Sequence, residues 1–236
     1  MNKRAAACIA AVAILGAISI LALRENSSID EYQNEIVALS EAIKKGDHEL
    51  VESLLNRKIS SGRYGKAEEA AKNYFRDLIA VTDDMRELRD SDDLYLLLDS
   101  KNLENDDEEL SASKRKAQKL RSQADEIIAK YNQINDNSAH DYLNGDDEET
   151  AGLFKTAIEE IVENDADAKN YQNTKYIVSS TIDIYSEALD YLSTHRDSWT
   201  IKNNTIEFTN SDAQKDYQKI LDKVSSAGKD EPSGAQ

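Results

Sequence analysis

The chain has 236 residues, of which 46 are Asp or Glu and 29 Lys or Arg, giving a formal net charge of −17. Such a charge repels nucleic acid and anionic lipid surfaces and favours cationic partners. A single cysteine excludes an intrachain disulfide, and eight glycines with one proline argue for long helices with short breaks.

The first element is an apolar run, Ala5 to Leu23, preceded by Lys3 and Arg4 and closed by Arg24 and Glu25. At about 1.5 Å per residue a helix over it reaches roughly 28 Å, close to the roughly 30 Å of a bilayer's hydrocarbon core. Basic residues stay on the cytoplasmic side, so 1–4 reads as a cytoplasmic tail and 5–24 as a transmembrane signal-anchor. Residues 25–226 then read as an extracytoplasmic helical domain. A cleaved signal peptide is the rival, with Ala17-Ile18-Ser19 as its site, and would make the protein secreted; the apolar Ile20 to Leu23 that follow weigh against it. Without Lys3 and Arg4 the exported part is two charges more negative than the whole chain.

Ser27-Ser28 followed by Glu31 is a capping-box pattern for a helix that Gly46 ends, with Ile29, Tyr32, Ile36, Leu39 and Ile43 on its apolar stripe. A short helix from about His48 to Arg57 follows, capped by Asp47. The stretch Ile59 to Gly65 reads as a turn. A long helix then runs from about Lys66 to Arg89 with Ala67, Ala71, Tyr74, Leu78, Met85 and Leu88 on one face. Asp92 is expected to cap a short apolar segment, Leu94 to Leu98. An acidic loop around Asp106 precedes a helix from about Glu108 to Ile134, where Ala117, Leu120, Ala124, Ile127, Tyr131 and Ile134 form a coiled-coil-like seam.

Breaks near Asn135 to Ser138 and Gly145 to Glu149 flank a helix holding Leu153, Phe154, Ala157, Ile158 and Ile161. The next helix, about Ala166 to Thr194, repeats the three-four spacing at Val178, Ile182, Tyr185, Leu189 and Leu192. The segment 198–209 reads as a β-hairpin turning at Asn203-Asn204, because asparagine tolerates left-handed backbone angles. In that register Ile201 faces Ile206 and Trp199 faces Phe208. A final helix covers about Asp212 to Ser225, and 227–236 is expected to be disordered. The fold class is all-α: an N-terminal transmembrane helix, then an antiparallel helical bundle with one small hairpin.

No catalytic, metal or cofactor signature follows from this pattern. Counting a calcium loop from Asp165 puts Asn170 where the turn glycine belongs and Tyr176 where the bidentate glutamate belongs, so the match fails. His48, His140 and His195 are too far apart to share a helix face as ligands, and no cysteine completes a zinc site. No Gly-x-Ser-x-Gly elbow or phosphate-cradling glycine loop occurs. Sequons at Asn26 and Asn203 matter only in a host that glycosylates exported proteins. The one local excess of positive charge is Lys114, Arg115, Lys116, Lys119 and Arg121. With an exposed Trp199–Phe208 pair it makes a candidate interaction patch, whereas ion pairing with a neighbouring helix and a buried Trp199 seating the hairpin are the structural alternatives.

Three stretches carry a resemblance: Gly62-Arg63-Tyr64-Gly65-Lys66-Ala67-Glu68 running into Tyr74-Phe75-Arg76-Asp77-Leu78; Asn102-Leu103-Glu104-Asn105-Asp106; and Leu192 to His195 with Trp199-Thr200-Ile201, Ile206-Glu207-Phe208 and Tyr217. On these the chain resembles uncharacterised membrane-anchored or exported helical proteins of Gram-positive bacteria, departing from them in lacking a glycine after Asp106. The resemblance implies an extracytoplasmic helical domain and supplies no activity, cofactor or catalytic residue. The expectation is therefore a non-enzymatic protein of the cell membrane acting by protein–protein interaction, as a scaffold, envelope-complex subunit or sensor-type ectodomain. The alternative is an exported domain that binds cell wall or a small ligand, and self-association through the seams is compatible with either.

Overall fold

A computed structural model describes residues 27–136, 139–143, 145, 148–163 and 166–227. The anchor expected over 5–24, the tail 1–4 and residues 228–236 lie outside the described residues. Among the described residues no helix is long and apolar enough to cross a membrane. The chain divides into two compact units, one from the described residues up to Ala80 with Asn132–Lys169, the other from Val81–Tyr131 with the described residues from Asn170 on.

The first unit opens with α1 (Ser27–Lys45) and α2 (His48–Asn56). Gly46 between them takes φ +66, the left-handed conformation of a helix C-terminal stop, and Asp47 caps α2 by accepting from the Leu50 amide at 3.1 Å. The next helix, α3 (Gly62–Arg89), begins a full turn before the expected Lys66. Gly62 and Gly65 signal a break in the sequence, yet both belong to the first turn of α3. Gly65 is there because the chain doubles back against it: a Cβ on this residue would stand 2.7 Å from the Ser60 carbonyl oxygen.

The interior of this unit is the expected stripe of α1, with Ile29, Tyr32, Ile36 and Leu39 buried, facing Ala67, Ala71, Tyr74 and Phe75. Tyr74 makes edge-on contacts with Phe75, with Tyr142 of α7 (Ala139–Leu143) and with Phe154 of α8 (Glu148–Glu163), at centroid distances of 5.2, 5.7 and 6.3 Å. These are the separations that aromatic edges and faces favour. The Tyr32 hydroxyl donates to the Leu153 carbonyl at 2.8 Å and ties α1 to α8.

The second unit takes up α3 at Val81, then α4 (Asp92–Tyr95), α5 (Ser100–Glu104) and α6 (Ser111–Asp136). Ser91 rather than Asp92 caps α4, accepting from the Leu94 amide. The acidic loop before α6 is a cap. Asp106 accepts from the Ala112 and Ser113 amides at 3.0 and 2.8 Å, and Asp107 from Ser111 at 2.8 Å, using up donors that a helix start leaves without partners. Burial works against the Asp106 charge, but these backbone donors prevail and hold its pKa below the usual value.

The final long helix, α9 (Ala166–Thr194), meets α6 through ion pairs from Lys114 to Asp190 and Arg121 to Asp183. Numbers rise on one helix as they fall on the other, so the two run antiparallel. Lys130 to Asp84 ties α6 to α3, and Lys116 to Asp93 ties it to α4. Most of the expected seams is inside, with Ala117, Leu120, Ala124 and Ile127 buried on α6 and Val178, Ile182, Leu189 and Leu192 on α9, while Tyr131, Ile134 and Tyr185 are only half-buried.

A 3₁₀ turn (Arg196–Ser198) leads into β1 (Trp199–Lys202) and β2 (Thr205–Phe208). They pair antiparallel in the expected register, Trp199 opposite Phe208 and Ile201 opposite Ile206. Asn203 and Asn204 adopt φ +52 and +59, the two left-handed residues of a type I′ turn. The last helix, α10 (Ser211–Ala227), runs two residues past the expected Ser225.

Candidate interaction surfaces

The basic residues of α6 divide between ion pairs and solvent. Lys114 pairs with Asp190 at 2.9 Å and donates to the Ser193 hydroxyl at 2.7 Å. Lys116 pairs with Asp93 at 2.9 Å, and Arg121 with Asp183 and the Ser179 carbonyl. Arg115 and Lys119 point to solvent. Trp199 is 3% exposed: its indole nitrogen donates to the Leu192 carbonyl at 2.7 Å and the Arg196 guanidinium lies over its ring at 4.1 Å. Phe208 is half-buried against Tyr217, centroid to centroid 5.3 Å. An exposed Trp199–Phe208 pair is therefore not what the hairpin presents; the indole seats the hairpin on the end of α9.

Charges meet deep inside the first unit instead. Glu35 of α1 and Glu68 and Lys72 of α3 are each 2% exposed or less. The Lys72 ammonium donates to Glu35 at 2.6 Å, to Glu68 at 2.7 Å and to the Arg57 carbonyl at 2.7 Å, so its three protons are all used. Arg57 closes on both oxygens of Glu35, at 3.0 Å from Nε and 2.6 Å from a terminal nitrogen. Glu68 accepts from the Ser60 amide at 2.8 Å, from the Ser60 hydroxyl and from the Ile59 amide. Burial raises the Glu68 pKa, yet the hydrogen bonds from Lys72 and Ser60 outweigh it and leave the carboxyl below its ordinary range. Two carboxylates and two cations leave no net charge, and the cluster fastens the loop after α2 onto α3.

This cluster has a signal in the sequence. Glu35 lies three residues after Tyr32 and four before Leu39, on the apolar stripe itself. Glu68 and Lys72 are one turn apart beside Ala67 and Ala71. Charged residues at core positions of two separate helices imply that they are paired.

A second feature is an open groove of about 280 Å³ in the other unit, between the end of α3 and the middle of α6. Leu88, Leu120 and Ile127 line it with apolar surface; Asp84, Glu87, Asp93 and Glu126 supply four carboxylates against the single ammonium of Lys130. Lys130 stands 3.7 Å from Asp84, and Asp93 holds Lys116 at 2.9 Å. Glu87 and Glu126 are exposed and form no ion pair among the described residues. Its walls come from chain segments about thirty residues apart, so no local motif announces it. Among the described residues no three His, Cys, Asp or Glu side chains converge as a metal site.

Comparison of the chain with protein-family models, with curated proteins and with solved structures gave no match. The reading of function rests on the residues themselves.

Proposed function

We propose that the chain is a membrane-anchored extracytoplasmic protein that works without catalysis, by binding another protein through its helical domain. The anchor reading comes from the apolar run Ala5 to Leu23 and its flanking charges. The observation that carries the binding reading is the groove in the second unit, where Glu87 and Glu126 stand outside any ion pair of the described residues above a floor of largely buried Leu88, Leu120 and Ile127. The buried charges of the first unit favour the same reading, because every proton of Lys72 is already bonded within the fold.

The test is a crosslinking pull-down from intact cells, using the full-length chain with a C-terminal tag. The expected result is one dominant envelope protein recovered with it from the membrane fraction. Recovery of the chain alone, or of wall polymer, overturns the reading and favours the wall-binding alternative. Fractionation tests the anchor: carbonate-resistant membrane association of an uncleaved chain is expected, and release of a shortened chain into the medium contradicts it.

A further inference from the structure

We infer that the chain between α2 and α3, Arg57 to Ser61, is held by a charge-gated latch. While the Glu68 carboxyl is ionised it keeps this loop down on α3, and when acid neutralises it the loop lifts while the helices stay folded. The latch needs no partner and is independent of the interaction reading above.

The bonds to Glu68 all run one way. This buried carboxyl accepts from the Ser60 amide at 2.8 Å, the Ser60 hydroxyl, the Ile59 amide at 3.2 Å and the Lys72 ammonium at 2.7 Å. Two main-chain N–H groups and an ammonium can only donate. An ionised carboxylate accepts from all of them, whereas a protonated carboxyl carries a donor of its own and gives up part of its acceptor capacity. It also loses the added strength of charge-assisted bonds. Water then becomes the better partner for the Ile59 and Ser60 amides, and reaching it means that the loop leaves α3.

The charges facing Glu68 decide what stays behind. From α1, Glu35 binds Lys72 at 2.6 Å, and Arg57 at the end of α2 binds Glu35 at 2.6 Å. Lys58 and Glu69 pair at 2.7 Å with 60% of each side chain in water. Neutralising Glu68 leaves Glu35 with both of its cations, so Lys72 keeps a carboxylate partner inside the unit. A pocket of about 240 Å³ borders the loop, lined by Arg57, Lys58, Glu68 and Lys72 among others, and gives water a way to the carboxyl that displaces no helix. Burial raises the Glu68 pKa, and the bonds from Lys72 and Ser60 lower it by more, to below 4.5. The latch therefore opens on the acid side of that value.

Hydrogen exchange of the full-length protein tests this, with rates expressed as protection factors so that the pH dependence of exchange itself cancels. The Ile59 and Ser60 amides bond only to Glu68 among the described residues and report its charge. The Phe75 and Leu78 amides, inside α3, report the helix. Between about pH 5 and about pH 3, protection at Ile59 and Ser60 is expected to fall about tenfold or more, and that at Phe75 and Leu78 by less than about twofold. Ser60→Ala removes a donor that favours the ionised form, so the fall should move to higher pH. Glu68→Gln, neutral at every pH, should leave both loop amides unprotected at pH 7 with helical circular dichroism unchanged.

Loss of protection at Phe75 and Leu78 together with the loop overturns the inference, since the unit then opens as a whole. Undiminished protection at Ile59 and Ser60 overturns it too. A Ser60→Ala midpoint equal to that of wild type does the same, because the gate is then another carboxyl. If Glu68→Gln fails to fold, the direction of the Ser60→Ala shift decides alone.

Discussion

The two units use charge in opposite ways. In the first, Glu35, Glu68 and Lys72 are buried and share a closed set of hydrogen bonds with Arg57 and Ser60. In the second, the ion pairs of α6 with α4 and α9 lie at the surface, where Asp93, Asp183 and Asp190 keep 61–71% of their side-chain area in water. Buried pairs need not stabilise more than an apolar core, but losing one member strands the other in a poor solvent. Surface pairs contribute little because water and salt solvate either partner alone. The first unit is therefore fragile to single charge changes and the second tolerant of them.

Removing Lys72 should break this comparison most severely if it is wrong. Lys72→Met leaves Glu35 and Glu68 inside with one cation fewer, and a loss of about 3–5 kcal/mol in urea unfolding is expected. Hydrogen exchange should place that loss in α1 and the first half of α3. Acid sharpens the contrast. Glu68 has a lowered pKa when folded, so its contribution is fully present above its unfolded value of about 4.5 and is lost as pH falls through the folded value. Stability should fall on acidification below about pH 4.5, and Glu68→Gln, less stable at neutral pH, should show a shallower acid slope.

A smaller effect of opposite sign is expected in the second unit. Tyr171 is 1% exposed, stacked on Tyr131 at 3.7 Å, and its hydroxyl has no hydrogen-bond partner among the described residues. Tyr171→Phe should raise stability by about 1 kcal/mol by removing a buried hydroxyl that bonds nothing. The smallest change is expected at the α6–α9 ladder, where Arg121→Ala should cost no more than about 1 kcal/mol and less in high salt. A cost equal to that of Lys72→Met would abolish the distinction between the units.

How far the fold could be read follows from the range of each signal. The turn and register of the hairpin were legible, since Asn203-Asn204 asks for two left-handed angles and the flanking alternation then fixes the pairing. The α6 and α9 seams were legible because helical periodicity repeats along one segment. The start of α3 was misplaced because Gly62 and Gly65 look like breakers; what Gly65 serves is a close approach by Ser60, which no local pattern encodes. Helices α5 and α7, five residues each, are too short for periodicity to show. The ion pairs of the basic stretch were not legible for the same reason of range, since the partners of Lys114 and Arg121 lie 76 and 62 positions away, at Asp190 and Asp183. The groove depends on the same kind of distant pairing.

The contact at Gly65 also predicts the outcome of random mutagenesis. An added methyl there meets main chain, which cannot rotate aside, so even alanine forces α3 and the Ser60 loop apart. Gly62, three residues earlier, has open space around its Cβ position and asks only for φ +59, which asparagine or aspartate can supply. In a saturation library read out by folded yield, position 65 should return glycine alone, while position 62 should return glycine with asparagine and aspartate. Two glycines that look interchangeable in the motif would then separate into one set by space and one set by angle.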